Sequence, residues 1–126
     1  MVKHIVMWSF QETLDDKQKK EAAVRIKEGL ERLTGIVPGL ISVKVVTDAL
    51  PASTHEIGLF CRLESQEALD GYQVHPEHQK MVSFIRTVTC NRICLDYEVY
   101  WRSGFYLWAR SKKNILSQGY RNMQNV

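Results

Sequence analysis

Tyr72-Gln73-Val74-His75-Pro76-Glu77-His78 decides how the second half of this chain folds. A residue before proline is pushed out of helical geometry, so a helix capped by Ser65 and running to about Gly71 cannot continue through His75-Pro76. Pro76 in turn suits the first turn of a new helix, which the pattern carries to about Val88 with Met81, Val82 and Ile85 inward. The same seven residues hold two of the four histidines and a tyrosine, groups that titrate near neutral pH or donate hydrogen bonds. On one unbroken helix, positions six apart point about 120° away from each other. The break is what allows Tyr72 and His78 to converge.

The flanking pattern fixes the rest of the order. Val2 to Phe10 is β-rich and almost continuously apolar, as a strand covered on both faces requires. Thr13-Leu14-Asp15-Asp16 offers a capping box for a helix with Ala23, Ile26, Leu30 and Leu33 at helical spacing. Gly35 ends that helix and Pro38-Gly39 turns the chain. Leu40 to Thr47 reads as a second strand, with Ile41, Val43 and Val45 alternating. His55 to Leu63 is a third, with Ile57, Leu59, Cys61 and Leu63 on one face, and Ile93 to Tyr100 a fourth. The order βαββαβ predicts a ferredoxin-like α+β fold, a four-stranded antiparallel sheet with both helices on one face. Strands this apolar cannot leave the other face to water, so the sequence predicts a homodimer joined sheet to sheet, a dimeric α/β barrel.

Composition narrows the class. A chain of 126 residues with 44% hydrophobic and 25% charged residues is one globular domain. No apolar run approaches the roughly 20 residues that cross a bilayer, and Met1 to Val6 lacks the basic and long apolar parts of a signal peptide. Three cysteines, Cys61, Cys90 and Cys94, sit in apolar runs without metal-site spacing, which predicts buried free thiols in a reducing cytoplasm. Residues 1–100 hold 12 Lys/Arg against 14 Asp/Glu. The net charge of +3 therefore comes from residues 101–126, where Arg102, Arg110, Lys112, Lys113 and Arg121 meet no acid. The expected division is a domain over 1–100 that binds no nucleic acid and a basic, aromatic extension over 101–126. Trp101, Phe105 and Trp108 give that extension helical spacing, which predicts docking on the domain or on the dimer partner.

Several of these segments together resemble one family, the stress-responsive α/β barrel domain, a dimeric ferredoxin-like group. They are Val2-Lys3-His4-Ile5-Val6, the Ile36-Val37-Pro38-Gly39-Leu40 turn, Tyr72 to Gln79, and the closing Leu95-Asp96-Tyr97-Glu98. The resemblance spans residues 1 to about 100 and implies a homodimer. A plant polyketide cyclase is similar in fold and shares the tyrosine–histidine segment. That likeness implies that His78 is a base acting beside a carbonyl, that Tyr72 orients the carbonyl, and that His4 lines the pocket. The chain departs from the cyclase on the third strand, where Ile57 stands in place of a histidine.

The residues themselves are compatible with that chemistry. A histidine of pKa near 6.5 is matched to proton abstraction at neutral pH, worth about 10² to 10⁴ in rate. His78 and Tyr72 are thus the catalytic candidates, and His4 and His75 the ligand-binding ones. His75 is better placed as a cap for the helix that Pro76 begins than as a catalyst. No third ligand accompanies His75 and His78, so no metal is expected, and no glycine-rich phosphate loop or nucleophile motif calls for a cofactor. The expected function is a homodimer that binds a small apolar or carbonyl ligand, with cofactor-free cyclase or lyase chemistry if it is an enzyme. The alternatives are a non-catalytic stress or assembly protein whose dimer surface is the function, and a cofactorless monooxygenase.

Overall fold

The strand Val2–Phe10 (β1) lies inside a four-stranded antiparallel sheet of order β2-β3-β1-β4. Its neighbours are Ile57–Leu63 (β3) on one side and Thr89–Glu98 (β4) on the other, and Leu40–Val46 (β2) pairs with β3 at the far edge. The structure is a computed structural model and describes residues 1–99. The extension over 101–126, its helix and its docking lie outside the described residues, as does the expected strand end at Tyr100.

Helix Asp16–Glu31 (α1) links β1 to β2, and Gln66–Val74 (α2) and Pro76–Val88 (α3) link β3 to β4. The ferredoxin-like arrangement is therefore the one the sequence predicts, with its second crossover split in two. Several boundaries move. The capping box of α1 is made by Asp15 with Gln18, not by Thr13, because Asp15 is the extended residue from which the helix starts. α1 tightens into a short 3-10 turn over Arg32–Gly35 before the chain turns at Gly39, whose φ is +78°. α2 runs to Val74, three residues beyond Gly71, and stops at the His75-Pro76 step. β4 begins at Thr89, four residues earlier than expected, and β3 begins at Ile57 rather than His55.

Alternation along β1 decides which side is core. Val2, His4, Val6, Trp8 and Phe10 are buried on the helix-covered side, together with Ile57, Leu59, Cys61 and Leu63 of β3. Ile26, Leu30 and Leu33 from the first helical segment close over them, with Ala22 buried where Ala23 is only partly so. On the opposite side, the register pairs Ile5 with Phe60 and Leu95, and Met7 with Ile93. In the single chain that face is open: Phe60 is 37%, Ile93 51% and Leu95 56% exposed. No helix among the described residues is long and apolar enough to cross a membrane.

Candidate functional site

The break between α2 and α3 rearranges the hydrogen bonds in a way that creates a site. Pro76 has no N–H, so the Tyr72 carbonyl receives the His75 N–H instead, at 3.3 Å. In a continuous helix the Gln73 carbonyl would accept from the N–H of Glu77. That N–H instead donates to His75 Nδ1 at 3.1 Å, which makes His75 the N-cap of α3. The freed Gln73 carbonyl then takes the Gln79 side-chain amide and, at 3.2 Å, Nδ1 of His78. With Nδ1–H donating there, Nε2 of a neutral His78 keeps its lone pair. Burial, opposed by the Gln73 bond and aided by the charges of His4, His75 and Arg92, holds His78 below its ordinary pKa of 6.5. The ring is thus an unprotonated base at neutral pH.

Beside His78 lies a cavity of about 540 Å³. The cause is visible in the sheet order. The helices cover β2, β3 and β1, while β4, at the edge, has only Thr89 buried. The space left between α3 and β4 is walled by Val6, Trp8, Leu30, Leu59, Val82 and Ile85. His4, Gln73, His78, Gln79, Arg86 and Arg92 supply most of its polar lining. A mostly apolar hollow with a few convergent polar groups is the usual form of a small-molecule site. A β-bulge between β1 and β4 brings Asn91 into a left-handed conformation at φ 53°, and both Asn91 and Arg92 reach the wall.

The register of β1 against β4 places Asp96 opposite His4 and Cys94 opposite Val6, on the cavity side. His4 Nδ1 and the Asp96 carboxylate form a hydrogen-bonded pair, and His4 is buried while its partner is partly open. This fixes the His4 ring and leaves its other nitrogen for a ligand. Cys94 Sγ stands 3.9 Å from His4 Nδ1 and 3.6 Å from Asp96 Oδ1. These three side chains form a group whose ligand atoms lie within 4.8 Å of one another, the set best able to hold a metal among the described residues. Burial and the Asp96 charge push the Cys94 thiol up, and a thiol beside Asp96 and a His4–Asp96 hydrogen bond account for the geometry.

His78 and His4 both line the cavity, as a ligand site requires. Tyr72 does converge on His78, with ring centroids 4.1 Å apart, and meets His4 edge to face at 6.0 Å. Its own position differs from the expected one. Tyr72 is fully buried and absent from the cavity wall, and its hydroxyl lies 3.9 Å from Cys61 Sγ. Burial pushes the Tyr72 phenol far up and the Cys61 thiol to about 12, so both stay protonated. His75 is the α3 cap and is not on the wall either. The cysteines also separate: Cys61 is buried, Cys90 half-buried and Cys94 exposed, because the helices stop short of β4. Sequence reasoning passed over Asp96, Arg86 and Arg92. Only the register of β1 on β4 brings Asp96 to His4, and alternation along a single strand carries no register.

The comparisons agree on the architecture. The family described as "Stress responsive A/B Barrel Domain" matches residues 2–99. A dimeric ferredoxin-like protein of unknown function from Bacteroides fragilis is 26% identical, with a TM-score of 0.74 over 78% of this chain and 95% of that one. A dimeric ferredoxin-like protein from Thermobifida fusca is 19% identical, with a TM-score of 0.65 over 78% of this chain and 90% of that one. A hydroxynitrile lyase from Passiflora edulis is 18% identical, with a TM-score of 0.65 over 79% of this chain and 93% of that one. A search of curated proteins finds no match.

Proposed function

The chain belongs to the stress-responsive A/B barrel domain family, and on that premise we propose that it is a homodimer binding a small carbonyl compound beside His78. The observation that carries this reading is the cavity of about 540 Å³ with a neutral histidine on its wall. Within it, His78 Nε2 takes a proton from the carbon next to the carbonyl. The electron pair of that C–H bond becomes a carbon–carbon double bond, and the carbonyl π pair moves onto the oxygen. His4, its Nδ1 held by Asp96, faces that oxygen with its other ring nitrogen. Tyr72 acts through its packing on His78 and not by touching the ligand, and His75 acts by capping α3. An enolate formed this way adds to a second carbonyl and makes a carbon–carbon bond, the cyclase chemistry, and the reverse of that addition is the lyase chemistry. The lyase from Passiflora edulis supports the general class only through its fold. The dimer rests on the open apolar face of Phe60, Ile93 and Leu95 and on neighbours described as dimeric.

Histidine-selective NMR tests the site with 2-acetonaphthone, a neutral aryl methyl ketone. Saturable shifts of the His78 and His4 rings are expected. No saturable shift at His78 up to the ketone's solubility would overturn the reading.

A further inference from the structure

The cavity has a charge asymmetry that an apolar ketone does not use. Arg86 on α3 and Arg92 on β4 line it from facing elements, and none of the residues on its wall is an aspartate or glutamate. Neither guanidinium forms an ion pair with a described carboxylate, whereas Arg32 on the neighbouring surface pairs with Glu77 at 3.6 Å. Arg25 is occupied differently, lying 3.8 Å over the Phe84 ring. The Asp96 carboxylate is engaged by His4. Two cations thus face one largely apolar hollow with no internal counter-charge.

From this we infer that the ligand is an amphipathic carboxylate, its apolar body against Trp8, Val82 and Ile85 and its anionic end at Arg86 and Arg92. A guanidinium presents a planar pair of N–H donors that a carboxylate matches with two parallel bonds, which a lone ketone oxygen cannot do. The anion also fixes which end of the ligand enters the hollow. The body goes in first and the carboxylate stays at the β4 edge, the side open to solvent. The inference rests on the proposed ligand site and adds its substrate class: a carbonyl compound that also bears a carboxylate.

Isothermal titration calorimetry with 6-acetyl-2-naphthoate and its neutral amide separates the two claims. The carboxylate is expected to bind about tenfold or more tighter than the amide, the usual gain of a charge-assisted pair. In Arg86→Gln/Arg92→Gln that advantage shrinks to about threefold or less. Both arginines are exposed, so the double variant folds, and a matching circular dichroism spectrum verifies it. Equal binding of carboxylate and amide to the unaltered protein overturns the carboxylate inference and leaves the ligand site standing. An advantage that survives the double substitution also overturns it. Failure of both compounds to bind overturns the inference together with the site.

Discussion

The Gln73 carbonyl ties the chemistry of His78 to the Glu77 N–H, which His75 takes at the helix break. Because that carbonyl holds Nδ1, the tautomer and the free Nε2 follow from the helix break. Burial is the larger cause of the lowered pKa, so the sign of its pH effect is fixed. A histidine with a depressed folded pKa binds fewer protons folded than unfolded. Stability is then complete above 6.5 and declines as pH falls from there toward the folded value. Chemical denaturation from pH 8 to pH 5 is expected to show that decline, and His78→Gln to flatten it. Asp96→Asn is the complementary test of the His4 pair. Turnover of a ketone substrate is expected to fall by about 10², with the denaturation midpoint nearly unchanged because Asp96 is partly solvated. The helix break was legible from the proline; that Tyr72 and His78 meet across it was not. Nor was Asp96, since 92 residues and a strand register separate it from His4.

α2 and α3 behave as one crossover cut by a capped break. His75→Ala removes the acceptor for the Glu77 N–H, and loss of an N-cap costs about 1 kcal/mol. Urea denaturation is expected to show that loss while ligand affinity stays within about twofold, as a cap off the cavity wall implies. A matching drop in affinity would place His75 at the ligand instead. The turn before β2 is more demanding. Gly39 has φ +78°, and a Cβ there would meet the Ala68 Cβ at 2.6 Å. Gly39→Ala therefore strains both backbone and the packing of α2, at about 1–3 kcal/mol, readable as a lowered Tm. Element order and type were legible because periods of two and 3.6 persist over seven to sixteen residues. Ends were not. Thr89 belongs to β4 because Phe10 pairs with it, a long-range bond with no local signature.

For the molecule as a unit, the open sheet face and the cavity lie on opposite sides of the same strands. Ile93 and Leu95 point to the open face, while Arg92, Cys94 and Asp96 alternate onto the other face, where Arg92 reaches the cavity wall. A dimer formed on that face would bury the apolar side of β4 and stiffen the strand that carries the His4 partner. Leu95→Asp is expected to give a monomer by analytical ultracentrifugation, since an unpaired charge in a buried apolar interface is strongly unfavourable. A dimer that survives this change would move the interface elsewhere. The sequence pointed to this face because β1 is apolar at nearly every position. It could not show the cavity, which arises from helices stopping short of an edge strand. Proton transfer beside His78 is the claim on which the rest depends. Deuterium uptake at the methyl group of 6-acetyl-2-naphthoate in D₂O, followed by proton NMR, tests it most directly. Catalysed uptake that falls by about 10² or more in folded His78→Gln is the predicted result. Uptake no faster than in buffer, or unchanged in His78→Gln, would contradict it.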